Sequence, residues 1–329
     1  MPVTMGRREF ITLLGGTAAA WPLASRAQQH TMPLVGFLAS YSLDRSGQRL
    51  AAAFLDGLKE LGYEDGRNVR IEYSSAQGDY DRLPGLASEL VRHGVDVIAA
   101  VGGSPAVLAA KRATTSVPIV FQVGVDPVQL GLVASLNRPG GNVTGVVNLA
   151  LELGPKRLQL LRELLPTGTA IAVLINQHSP VADAAEQQMQ AAARALGVQL
   201  QVLHASTDRE LETVFAGLSA SGLVVSGDPF FNSRAEQLAV LASRYAVPAV
   251  YQFREFPIAG GLMSYGSSLL DAHRLTGSYT GRVLKGDAPA NLPVQQSAKV
   301  ELIINLKAAN TLGIAVPVSL LGRADEVIE

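Results

Sequence analysis

Short apolar runs alternate with amphipathic stretches along most of the chain. From residue 32 onward, LVGFLA (34–39), VRIEY (69–73), VDVIAAV (95–101), PIVFQV (118–123) and VTGVV (143–147) are short, β-branched and bounded by Gly, Pro or Asn, the pattern of strands buried on both faces. Between the first two, Leu50, Phe54, Leu58 and Leu61 recur on one helical face, and Gly62 ends that helix. Residues 80–93, 104–115 and 128–137 are expected to form the next helices. A second series follows: IAVLI (171–175), VQLQVL (198–203), GLVVS (222–226) and PAVYQF (248–253), with helices expected near 155–165, 181–196, 208–220 and 233–245.

This alternation predicts an α/β protein, with parallel strands joined by right-handed crossover helices in two similar halves that meet near Asn148 to Gly154. The tail breaks a plain tandem. GGLMSYG (260–266) reads as a strand, 268–285 as a helix, and VELIIN (300–305) with LKAANTLG (306–313) as a further run and helix. A tail that returns to both halves requires several crossings between them, and such crossings make a hinge. The expected division is 32–149 plus 254–286 for the first lobe and 150–253 plus 287–329 for the second.

Composition narrows the function. The length of 329 residues exceeds one ordinary hydrophobic core, in keeping with two domains. With 48% hydrophobic and 17% charged residues and a net charge of −1, nothing points to nucleic acid. Cysteine is absent, which excludes a disulfide framework, a thiolate metal site, a Cys nucleophile and a lipid on an N-terminal Cys.

The first 27 residues read as an export signal: Arg7 and Arg8, a short Gly/Ala-rich apolar run, then Ser25-Arg26-Ala27 with small residues suited to cleavage. The pair followed by Glu9, Phe10 and Ile11 resembles a twin-arginine (Tat) signal. Gly6 stands where Ser or Thr usually precedes it, so the general secretory route stays open. A periplasmic protein cleaved near Ala27 is expected.

In a doubly wound sheet, ligands sit beyond the carboxyl ends of the strands. The residues at those exits are Ser40 and Tyr41, then Gly102, Gly103 and Ser104, then Asp126, Asn176, and Asp228 with Phe230 and Phe231. GGSPA (102–106) fits a helix start with Ser104 as N-cap and Pro105 at N1, and the same geometry offers free N–H groups to a carboxylate. Asp126-Pro127 and Asp228-Pro229 each follow a strand and precede a helix. Helix capping is favoured for Asp126 and ligand contact for Asp228, whose carboxylate would accept from an ammonium or hydroxyl. Phe230 is expected to face the cleft and Phe231 to pack beneath the loop.

Catalytic patterns are missing. His30, His93, His178, His204 and His273 show no metal-ligand spacing, and there is no GxSxG, GxGxxG or P-loop motif. Neither a metal nor a cofactor is expected, and binding without turnover is favoured over its rivals, a periplasmic enzyme on the same architecture and a sensor that presents its solute to a receptor.

GLKELGYEDGRNVRIEY, GDYDRLPGLASELV, ATTSVPIVFQVGVDPVQLGLVASLNRPGGNVTGV, KRLQLLRELLP, AGGLMSYG and ELIINLKAANTLGIAVP resemble, over essentially the full length, the ABC-transporter substrate-binding family that includes tryptophan/tyrosine importers. The resemblance implies a type I periplasmic binding protein: two Rossmann-like lobes, about three crossovers, hinge closure on a small organic solute, and delivery to ABC permease and ATPase subunits. The membrane is then engaged only through the permease. Gly103, Ser104, Asp126 and Asp228 are the residues it carries over. Pro229 and Phe230 depart from the small polar residues that the aromatic amino-acid binders have in that loop.

Overall fold

A computed structural model describes residues 32–166, 168–297 and 299–329, so the expected signal at 1–27 lies outside the described residues. The first lobe runs β1 (Leu34–Ala39), α1 (Arg45–Glu60), β2 (Arg70–Ser75), α2 (Leu83–Arg92), β3 (Val97–Ala100), α3 (Gly103–Ala113), β4 (Ile119–Val123) and β5 (Val143–Val147). The chain then crosses to α4 (Gly154–Leu164), β6 (Ile171–Ile175), α5 (Ala182–Leu196), β7 (Leu200–His204), α6 (Asp208–Ala216), β8 (Gly222–Val225), α7 (Pro229–Asn232), α8 (Ala235–Arg244), β9 (Ala249–Tyr251), α9 (Glu255–Ile258) and β10 (Met263–Ser267). It returns through α10 (Leu269–Leu284) and β11 (Gln295–Gln296), and ends in the second lobe with β12 (Val300–Asn305), α11 (Leu306–Thr311), α12 (Val318–Leu321) and β13 (Glu326–Ile328).

The first sheet has the order β11-β5-β4-β3-β1-β2 and the second β13-β12-β10-β9-β8-β6-β7. All pairings are parallel except β10 with β12. In both lobes the order reverses beside the first strand, so a crevice opens after β1 and β3 in one and after β6 and β8 in the other.

The helical face read from the sequence is the buried one. Leu50, Phe54 and Leu58 of α1 are buried, and Phe54 meets Phe37 of β1 edge-on, with ring centroids 5.1 Å apart. Burying each such side chain stabilises the lobe by about 1.5–3 kcal/mol. Leu61 falls at the C-cap and is only partly buried.

Two expectations are corrected. No helix forms over 128–137. The backbone N–H of Leu130 reaches the Asp126 carbonyl at 3.0 Å for a single turn, and Gly131, at φ +70°, turns the chain out of helical geometry. The lobe boundaries also move. Residues 254–267 stay with the second lobe, because β10 pairs with β9 and β12, while 287–297 return to the first, where β11 pairs with β5. α10 packs on α1 at a glycine contact: a Cβ on Gly277 would lie 1.9 Å from the Phe54 carbonyl, and one on Gly57 1.8 Å from that of Arg274.

Three crossings result: β5 to α4, β10 to α10, and β11 to β12. They are tied to one another. The Ser267 hydroxyl donates to the Asn148 carbonyl at 2.9 Å, and the Ser297 N–H to the Val147 carbonyl at 2.8 Å. The Arg157 side chain, fully buried, donates from Nε to the Tyr265 carbonyl at 3.1 Å and from Nη2 to the Ala150 carbonyl. Burial holds its pKa down at about 10, against the pull of Glu152.

Candidate functional site

The two crevices face each other across a cleft with about 60 Å³ of cavity volume. Its floor includes Asn148 and Ala150 of the first crossing, so the hinge and the cleft share residues.

On the first-lobe side, Gly103, Ser104 and Pro105 of α3 line the cleft. The N-cap is Gly102 rather than Ser104, and no side chain caps this end. The first N–H groups of α3 therefore keep their capacity for an acceptor in the cleft, on the positive end of the helix dipole. Gly103 sits at φ +69°, and a Cβ there would come within 2.9 Å of Pro229 in the opposite lobe. Ser40 is corrected from ligand group to scaffold: it is fully buried, and its hydroxyl donates to the Gly102 carbonyl at 2.7 Å, tying the exits of β1 and β3 together. Tyr41 does line the cleft, and its hydroxyl lies 2.9 Å from His273 Nε2. His273 Nδ1 lies 2.9 Å from the Leu269 carbonyl, an acceptor, so Nδ1 carries the proton and the Tyr41 hydroxyl donates to Nε2. Burial lowers the His273 pKa to about 4 and raises that of Tyr41, so both are neutral at ordinary pH.

On the second-lobe side, Asp228 is 2% exposed and lines the cleft at the exit of β8. Its Oδ1 accepts from Asn176 Nδ2 at 2.8 Å, from the Phe230 N–H at 3.0 Å, and from the Tyr80 hydroxyl at 2.7 Å. Its Oδ2 is buried with no partner. Burial raises the Asp228 pKa despite the donors from Asn176, Tyr80 and Phe230 and the nearby Ser179 hydroxyl. The expected capping and cleft roles thus coexist in one carboxylate: Oδ1 starts α7 and Oδ2 is left over.

Tyr80, on a single 3-10 turn between β2 and α2, belongs to the first lobe, so its bond to Asp228 spans the cleft. Burial, then the Asp228 charge, pushes its pKa well up, and the hydroxyl remains a donor. This bond and the approach of Pro229 to Gly103 are contacts of a closed lobe arrangement.

Three expected site residues fall elsewhere. Asn176 is buried and acts through Asp228 rather than lining the cleft. Asp126 lies in a separate groove, where Oδ1 accepts from the Val128 N–H at 2.8 Å as a turn cap and its own N–H donates to Glu152 Oε1 at 2.9 Å. Phe230 is core, 2% exposed and edge-on to Phe231, with the Arg234 guanidinium 3.8 Å above its ring, because the tight turn of α7 sends both rings inward. The cleft's aromatic and apolar walls come instead from Phe253, Phe256, Tyr41, Leu50 and Leu269, and further polar groups from Gln122, Ser179, Asn232 and Glu255. Of these, Phe253 and Glu255 follow the same strand-exit rule that selected Asp228.

Two doubly wound lobes, three crossings and a polar and aromatic cleft at both switch points define the fold of the type I periplasmic binding proteins. A family model described as ABC transporter substrate binding protein matches residues 44–328, and the chain belongs to that family. A tyrosine-binding protein of Clostridioides difficile is 28% identical over 267 residues, 80% of this chain and 75% of that protein. Among solved structures, a conserved domain protein from Vibrio cholerae is 27% identical with a TM-score of 0.82. An ABC domain from Streptococcus pneumonia in complex with L-Trp is 26% identical with a TM-score of 0.79. Each covers 90% of this chain and 99% of its own.

Proposed function

We propose that the protein is the periplasmic solute-binding component of an ABC importer, and that it closes on an amino-acid-like solute and delivers it to a membrane permease. The observation that carries this reading is the unpartnered Asp228 Oδ2 in a cleft whose opposite wall holds the uncapped end of α3. An α-ammonium would satisfy the first and an α-carboxylate the second. Phe253, Phe256 and Tyr41 offer faces to an aromatic or apolar side chain, and the tyrosine-binding and L-Trp-complexed relatives make aromatic amino acids the first solutes to try. The twin-arginine stretch at Arg7 and Arg8 supports export. A catalytic role finds no support among the groups in the cleft, where His273 is held neutral and already bonded at both ring nitrogens.

Closure would follow from the same carboxylate. With the lobes shut, Asp228 is desolvated; an ammonium on Oδ2 compensates that cost, so the solute favours the arrangement in which Tyr80 also reaches Oδ1. The test is a thermal-shift screen of the mature protein against amino acids, followed by calorimetry. A solute at 100 times its Kd adds about 2.7 kcal/mol of stability. Absence of any amino-acid hit, or hits unaffected by both Asp228→Asn and Ser104→Ala, would overturn the reading; consumption of the solute would restore the enzyme.

A further inference from the structure

A second acidic residue lines the cleft, and the α-end recognition described above does not use it. Glu255 begins α9, just past the exit of β9, and β9 is the strand paired with β8, at whose exit Asp228 stands. Its Oε2 is buried and has no hydrogen-bond partner, the same condition as Asp228 Oδ2. The same cleft is lined by Ser46, Gly47 and Leu50 of α1 and by Phe256, as well as by the α3 turn.

Among the described residues no lysine or arginine lines the cleft, and the one histidine there, His273, is neutral. The charged groups that act on Glu255 are Arg254, Arg49 and Glu301. Arg254 is already paired with Glu301 at 3.2 Å and with Glu326, and no ion pair joins any of the three to Glu255 among the described residues. A buried acceptor without a partner is destabilising, and one that is kept in a native structure calls for an explanation, which in a cleft a donor on a ligand supplies. Burial raises the Glu255 pKa against the pull of its own backbone N–H and of Arg254 and Arg49.

We propose that Glu255 is a specificity residue for the far end of the solute, requiring a side chain that ends in a hydrogen-bond donor, either a phenol-type hydroxyl or a cationic nitrogen. This rests on the amino-acid reading above. The α-ammonium and α-carboxylate are held at Asp228 and α3 for every amino acid, and Glu255 sorts them by what the side chain carries at its tip. A site built to accept from a donor rejects the isostere that lacks it far more strongly than an apolar pocket rejects a missing methylene.

Two isosteric pairs test it by calorimetry on the full mature protein: tyrosine against phenylalanine, and lysine against norleucine. At least one donor-bearing member should bind ten-fold or more tighter than its partner. Glu255→Ala should bring that ratio close to one while the donor-free member keeps its affinity within about threefold. Glu255→Gln, which preserves shape and an acceptor oxygen, separates the two sources: a surviving tyrosine preference identifies a neutral hydroxyl, and a lost lysine preference identifies a cation. Equal affinity within both pairs, or ratios that survive Glu255→Ala, would overturn the proposal and leave amino-acid binding intact. If no amino acid binds at all, both readings fall together.

Discussion

At the scale of single residues, Asp228 serves fold and ligand through different oxygens. Its desolvation raises the pKa, so the native state binds its proton more tightly than the unfolded chain does, and stability falls as pH rises above the ordinary carboxylate range. Asp228→Asn should therefore leave the unliganded protein as stable as wild type, or more so, near neutral pH, while solute affinity drops by about 2–3 kcal/mol. Denaturant melts and calorimetry read the two effects separately; a parallel loss of both would mean a merely structural role. His273 runs the other way. A histidine whose pKa is lowered to about 4 contributes stability that is complete above its unfolded value near 6.5 and is lost as pH falls toward 4. The loss is on the order of 3 kcal/mol at full protonation. Urea melts between pH 7 and 4 should show that slope in wild type, and His273→Phe should flatten it.

Residue roles were only partly legible in the sequence. The strand-exit rule named Tyr41, Gly103, Ser104 and Asp228, which line the cleft, because where a parallel strand ends is a matter of local pattern. It overreached at Asp126, which is consumed by its own turn, and at Phe230, whose ring direction depends on the one-turn helix α7 and on Arg234 arriving from beyond it. Tyr80, and the cleft position of His273, are not legible in the sequence for a related reason. Each acquires its partner from a distant part of the chain, 148 residues away for Tyr80 and 232 for His273, and periodicity carries no such information.

At the scale of elements, periodicity located the strands closely, and it identified the apolar stripe of α1, because a buried face must be apolar wherever it packs. What it could not tell was which lobe receives a returning element. β10 and α10 look alike in pattern to earlier strand-helix pairs, yet β10 remains in the second sheet and α10 docks on α1 in the first. That docking depends on Gly57 and Gly277, where the helix backbones come too close for any side chain. Gly277→Ala should cost about 3 kcal/mol, the upper range for overpacking a tight core. A melt showing less than about 1 kcal/mol would mean that α10 can slide without penalty.

At the scale of the whole molecule, lobe closure and solute capture meet in the Tyr80–Asp228 bond. Tyr80→Phe removes a donor from the far lobe and leaves Asp228 Oδ2 untouched. It should weaken every solute by a similar factor of about ten, since a hydrogen bond to a charged group contributes about 1.5–3 kcal/mol. Small-angle scattering should show a more expanded unliganded form. A change in solute preference, in place of a uniform loss, would place Tyr80 in contact with ligand. The hinge makes a companion case: Arg157→Met strips the Ala150 and Tyr265 carbonyls of their donor and should cost about 3 kcal/mol by urea melt.

The interleaved path of the chain also governs how the molecule can be made. The first sheet lacks its last strand until Gln295 and Gln296 have emerged from the ribosome, and the glycine face of α1 waits until α10, ending at Leu284, has emerged. For most of translation, a growing polypeptide of some 260 residues carries one lobe without its closing pieces, with the apolar side of α1 bare to the cytosol. Nascent chains arrested before α10 should accordingly be bound by holdase chaperones and cut readily by protease, and those arrested beyond β13 should be neither.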